Sequence, residues 1–142
     1  MRDFVYPARF TRASDEGGYV IRFRDIPEAI TQADTADTCA YEAAGALQAA
    51  LEARILDGLD IPPPSPARQG EKPIAVPIHT ALKTALYLAM RDAGISRVEL
   101  ARRMGVNEKE VRRMLDPYHG TRSERLEQAL AALGRHAEVR VA

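Results

Sequence analysis

Ser96 and Asn107 are each followed three residues later by a glutamate, Glu99 and Glu110. A short polar side chain before a helix accepts a backbone N–H, and a glutamate three positions on can return the bond. Each pair therefore marks a helix start. Gly105 lies between them, where a helix end takes the left-handed conformation that glycine adopts at least cost. Val98, Leu100, Ala101 and Met104 supply buried positions to the first helix, and Val106 plugs the core. Val111, Met114 and Leu115 face inward from the second, which leaves Glu108, Lys109, Arg112 and Arg113 facing outward. The spacing predicts a helix-turn-helix over Ile95–Leu115.

That arrangement suits duplex DNA. An α-helix fills the major groove and its first residues reach base edges, where arginine can bind guanine with two hydrogen bonds. Lys109 and Arg112 are the expected base readers. Glu108 can accept from a cytosine amino group or repel other bases, and Asn107 caps the helix that carries them. Arg97 starts the first helix where it can grip phosphate. Arg113, Thr121 and Arg122 are further phosphate candidates, the last two at the start of another helix whose N–H groups favour anions. A small bundle with solvated arginines is the competing reading, and it leaves the two caps, the Gly105 turn and the Val106 plug as coincidences. One such helix reads only a few base pairs, so a two-fold dimer with half-sites about 34 Å apart is expected. Val139 and Val141 alternate with Arg140 and suggest a terminal strand, His136–Val141, that could pair with its copy.

The elements around this segment fall into two halves. Residues 62–73 hold five of the nine prolines and read as a loop. The expected domains are residues 1–78 and 79–142. In the first, Phe4–Phe10 is rich in aromatic and apolar residues, Glu16-Gly17-Gly18 marks a turn, and Tyr19, Ile21 and Phe23 alternate with Val20, Arg22 and Arg24 as a half-buried strand does. Ala29–Ala33 can return as a third strand. Ala36, Ala40, Ala43, Leu47, Leu51 and Ile55 then form one stripe of a helix, with Thr35 able to cap it and Gly58 to end it. Ile74–Ile78 is a short extended run whose proline argues for an edge or a strand end. In the second half, Thr80–Ala93 and Arg122–Leu133 have helical spacing, each ended by a glycine.

Charge divides the same way. Residues 1–72 carry eight Lys/Arg against twelve Asp/Glu, a net −4, and residues 73–142 carry twelve against eight, a net +4. A basic module favours a polyanion. The single cysteine, Cys39, lies near the helical stripe and reads as a buried thiol. His79, His119 and His136 are far apart, and no metal-ligand spacing, phosphate loop or nucleophile motif is visible, so neither cofactor nor metal is expected. No apolar run is long enough to span a bilayer and the N-terminus lacks a signal-peptide core, so no membrane partner is expected and the cytoplasm is the expected location.

The two halves together resemble the HicB antitoxin of HicA–HicB type II toxin–antitoxin systems. The resemblance rests on Tyr6-Pro7, Glu16–Phe23, Asp25–Gln32, Asp34-Thr35 before an Ala-rich helix, and Ile61–Pro66 in the first half. In the second it rests on Leu100–Gly105, Arg113–Pro117, His119–Thr121 and Ala129–Gly134, which match the family's helix-turn-helix branch. It implies an α+β protein. The N-terminal domain would be a partial ribonuclease-H-like sheet with one main helix, degenerate and not catalytic. The C-terminal domain would be all-α, a helix-turn-helix with a short terminal strand.

The resemblance further implies a bacterial protein that masks a HicA-type, mRNA-cleaving toxin with its first half. With its second it would bind operator double-stranded DNA and repress its own operon, as a homodimer or a higher oligomer such as a tetramer. An acidic partner suits a ribonuclease that presents positive charge to RNA. The candidate toxin contacts are Asp15, Glu16, Tyr19, Asp25, Ile26, Pro27 and Glu28, around the first two turns. The alternative is a regulator whose first domain senses a small ligand and which has no toxin partner. An enzyme is not expected, because a nuclease of this kind needs carboxylates converging on metal, and the acidic residues here fall mostly in turns and on helix faces.

Overall fold

The computed structural model describes every residue except Glu16. The chain divides into two compact units. The first comprises Met1–Arg54 and Asp60–Pro77; the second comprises Ile55–Leu59 and Ile78–Ala142.

The first unit is a four-stranded antiparallel sheet with one long helix. Strands β1 (Val5–Arg12), β2 (Tyr19–Arg22), β3 (Ile30–Ala33) and β4 (Glu71–Ala75) lie in the order β3-β2-β1-β4. The pairs Phe10↔Ile21↔Thr31 and Tyr6↔Ile74 fix the register and put one face inward, where Tyr6, Ala8, Ile21 and Ile74 are buried. The opposite face, with Arg9↔Arg22 and Thr11, stays exposed. Pro7 faces Pro73 across β1 and β4. The Val76 N–H donates to the Phe4 carbonyl, so alternation along the ladder places the two prolines at a non-hydrogen-bonded pair, where neither missing N–H breaks a rung. β4 is thus an edge strand, and it starts three residues before the expected extended run.

A 3-10 turn (Ala36–Thr38) leads into α1 (Cys39–Asp57). The expected Thr35 cap does not form: Thr35 precedes the turn without a side-chain bond to a backbone N–H. Its carbonyl instead accepts from the Thr38 hydroxyl and the Cys39 thiol. Cys39, Ala43, Leu47, Ala50 and Leu51 are buried, and burial pushes the Cys39 thiol pKa up. The proline-rich segment is strapped down. The Tyr6 hydroxyl donates to the Pro62 carbonyl at 2.7 Å, and Arg24 grips the Glu71 carboxylate and the Pro66 carbonyl. Burial raises Tyr6 to about 12, while Arg24 holds the Glu71 carboxyl below its usual range.

The second unit is helical: α2 (Ile78–Ala93), α3 (Arg97–Met104), α4 (Glu108–Leu115) and α5 (Ser123–Ala132). Its core is Leu86, Ala89, Met90, Leu100, Ala101, Val111, Met114, Leu126, Ala129 and Leu130. Each helix contributes two or three of these at spacings of one, three or four, the stripe that an amphipathic helix buries. Val98, expected inside, is 68% exposed, because it sits on the solvent side of α3 while Leu100 and Ala101 turn inward. Residues 135–142 form no strand. The expected terminal strand is absent from the single chain because a strand needs a neighbour for its N–H and C=O groups, and the second unit contains no other strand.

Candidate functional site

The α3–α4 pair is built by three local devices. Ser96 Oγ accepts from the Glu99 N–H at 3.1 Å, and Asn107 Oδ1 accepts from the Glu110 N–H at 3.1 Å. Between them Gly105 sits at φ +70°, and the Val106 N–H returns to the Ala101 carbonyl at 3.0 Å. A Cβ at Gly105 would meet nothing within 4 Å, so the demand for glycine is conformational and not spatial. In both pairs only the first half forms among the described residues, and the glutamate turns to arginine instead, Glu110 to Arg125 at 3.7 Å. Glu99 turns its carboxylate to Arg102 at 2.6 Å and Arg103 at 3.1 Å, and these arginines hold its carboxyl down to about 2.

The outward residues of α4 are not equivalent. Glu108 reaches two arginines: Arg97 from α3 at 3.4 Å, and Arg112 one turn along α4 at 2.6 Å. The expected phosphate grip and the expected base reader thus share one carboxylate. Lys109, Arg113 and Arg122 are exposed and have no carboxylate partner among the described residues. Arg113, Thr121 and Arg122 come together on an open cleft of about 260 Å³, which Glu110, Met114, His119, Gly120 and Arg125 complete. Arg125 is tied to Glu110 at 3.7 Å.

Sequence reasoning missed His79, Lys83, His119 and Arg125. Lys83 is 1% exposed, and its ammonium donates to the Arg113 carbonyl at 3.1 Å, the Asp116 carbonyl at 2.5 Å and Thr121 Oγ1 at 3.1 Å. His79 Nε2 lies 2.8 Å from the Thr121 carbonyl and His119 Nδ1 lies 3.1 Å from Thr121 Oγ1. One signal was available: Lys83 follows Leu82 within the apolar stripe of α2, on the side that turns inward.

The first-unit candidates separate into committed and open residues. The Asp25 carboxylate, 9% exposed, accepts from the Ser65 N–H at 2.8 Å and the Ser65 hydroxyl at 2.7 Å. Glu28 forms a two-pronged pair with Arg54 on α1, which lowers its pKa. Ile26 is fully buried and belongs to the core, so its side chain presents no surface to a partner. Tyr19 is partly buried at the start of β2, while Asp15 and Pro27 are exposed. Glu16 lies outside the described residues.

Residues 5–85 match the family model of the HicB-like antitoxin of bacterial toxin–antitoxin systems. The chain is 38% identical to Antitoxin HicB of Escherichia coli strain K12 over 130 residues, 92% of this chain and 94% of that one. The chain belongs to the HicB antitoxin family. It is also 38% identical to Antitoxin HicB 1 of Photorhabdus laumondii over 120 residues, 84% of this chain and 76% of that one. Antitoxin HicB of Pseudomonas fluorescens is 32% identical over 122 residues, 85% of this chain and 84% of that one. The Escherichia match leaves at most twelve residues outside it, so the HicB likeness takes in the α3–α4 pair as well as the sheet. This HicB-family chain is an antitoxin of a toxin–antitoxin system. Among its described residues no helix is long and apolar enough to cross a membrane, and no three His, Cys, Asp or Glu side chains gather as metal ligands would.

Proposed function

We propose that this antitoxin has two faces. Residues 1–78 bind and neutralise a HicA-type, mRNA-cleaving toxin; residues 79–142 bind operator DNA and repress the chain's own operon. It acts by binding, not catalysis, in the bacterial cytoplasm, where the toxin's messenger substrates and the operator lie. The observation that carries the DNA reading is the α3–α4 pair: two capped helices about a left-handed glycine, with Lys109 and Arg113 exposed on α4 and Arg122 exposed before α5, none with a carboxylate partner among the described residues. Read as a helix-turn-helix, α4 enters the major groove, with Lys109 and Arg112 on base edges. Arg97, Arg113, Thr121 and Arg122 take phosphates. Asn107 holds the helix start, and Glu108 orients the arginines on either side.

The toxin reading is supported by family membership and by the acid excess of residues 1–72. The antiparallel sheet with one main helix suits a partial ribonuclease-H-like fold. Asp15, Glu16, Tyr19, Pro27 and the exposed edge of Glu28 are the contacts proposed for the toxin. Asp25 and Ile26 shape that surface from within. A dimer follows from the two-fold logic of half-sites, with residues 136–141 pairing between copies.

Co-purification with the product of the adjacent gene, with mass measured with and without the upstream DNA, tests both faces. A complex that rescues growth from that product and shifts the upstream duplex is expected. Failure to rescue removes the toxin face. Equal binding to upstream and scrambled duplexes removes the operator face.

A further inference from the structure

We propose that Lys83 is a positioning residue for the phosphate-facing loop: reaching from α2, it holds the end of α4 and residues 116–121 in the arrangement that gathers Arg113, Thr121 and Arg122 around one cleft. The inference rests on the operator-binding reading of the second unit.

An ammonium has three N–H donors, and here the three find three acceptors: the Arg113 carbonyl, the Asp116 carbonyl and the Thr121 hydroxyl. The two carbonyls lie at the end of α4, where positive charge is favoured, and each also accepts a backbone N–H, from Asp116 and from His119 respectively. His79, one turn earlier on α2, lies against the Thr121 carbonyl. Thr121 is therefore held at its hydroxyl and at its carbonyl from the same helix, with His119 on the other side of the hydroxyl. The charged and titratable groups meeting here are His79 from α2, Asp116 and His119 from the loop, and Arg113 and Arg122 at its two ends.

At 1% exposure Lys83 cannot touch DNA. Nor is its burial without cost. Burial lowers its pKa from 10.5 to about 8, against a smaller opposing effect of Asp116, so the folded protein carries this charge at a cost. An apolar side chain of similar length fills the same space without that cost. What it cannot do is bind three acceptors from two segments at once. Lysine at this position therefore bears a cost of burial and joins α2 to the loop.

Lys83→Met tests this, because methionine keeps an unbranched apolar stem and has no donor. The variant should melt at pH 7 at the wild-type temperature or above. Its amides from Tyr118 to Thr121 should exchange faster than wild type, while those of α3 do not change. Affinity for upstream and scrambled duplexes should fall together by about tenfold, with the salt slope smaller by about one, the mark of a lost phosphate contact. A variant that fails to fold, or that exchanges and binds as wild type does, overturns the proposal. If the wild-type chain binds neither duplex, the operator reading fails by itself, and the exchange of Tyr118–Thr121 alone decides the role of Lys83.

Discussion

Glu108→Gln removes the carboxylate that Arg97 and Arg112 share. Its Oε1 lies 3.4 Å from Arg97 and its Oε2 2.6 Å from Arg112. The arginine side chains are 52% and 60% exposed, so each pair adds only about 0.5 kcal/mol to folding, and the variant should lose less than about 1 kcal/mol of stability. The effect on a polyanion is larger. A phosphate approaching α4 meets one negative charge fewer and two arginines released from it. A unit charge pair at about 4 Å in water is worth roughly 1 kcal/mol, about a fivefold change in binding. Glu108→Gln should therefore tighten a scrambled duplex by about fivefold and steepen its salt dependence, since more phosphate charge is neutralised. The upstream duplex should gain less, because Arg112 loses the partner that orients it toward a base. Anisotropy titrations with both duplexes between about 50 and 200 mM salt read these effects directly. If Glu108→Gln binds scrambled DNA no more tightly than wild type, Glu108 does not restrain the arginines and the reasoning fails.

Three further outcomes follow from the same geometry. Arg112→Ala should cost about 1 to 3 kcal/mol at the upstream duplex and relax base preference at one position, whereas Arg97→Ala should weaken all sequences alike; base-substituted duplexes distinguish them. Asp25→Ala should cost about 1 to 3 kcal/mol of stability in the first unit, because the Ser65 N–H and hydroxyl lose their acceptor, and denaturant unfolding monitored on unit-1 amides measures it. The third concerns pH. Lys83 titrates near 8 when folded and near 10.5 when unfolded, so between those values the unfolded chain holds more protons and stability rises with pH. Tyr6 and Cys39 are shifted upward and act in the opposite sense at higher pH. The gain should therefore appear between about pH 8 and 9.5 in melting curves and be missing from Lys83→Met.

Much of the second unit was legible in the residues because its signals are local. Ser96, Asn107 and Gly105 act within one helical turn, and a cap or a left-handed glycine needs no distant partner to be recognised. The apolar spacing of α2 and α5 was equally plain, whereas in α1 the expected stripe held only from Ala43 onward, Ala36 and Ala40 being exposed and Cys39 buried in their place. The sheet strands were visible as alternation, though Pro73 obscured β4, whose tolerance of proline depends on its pairing with Pro7 across the ladder. The terminal alternation of Val139 and Val141 misled for the complementary reason: a strand pattern has no structure until an edge accepts it.

What sequence spacing could not reveal was how charges are paired at long range. Asp25 and Glu28 read as free turn carboxylates, yet one anchors Ser65, forty residues away, and the other closes on Arg54. Arg97 and Arg112 read as independent contacts, yet both converge on Glu108. Lys83 drew no role from its spacing, and only packing shows that its ammonium meets the end of α4. The sequence by itself determined the helices, three of the four strands, the family and the outward face of α4, because periodicity and capping are properties of neighbouring residues. The tertiary structure decided which charges stay available to a partner and which hold the protein together. An ion pair depends on distance in space, and the chain order does not encode it.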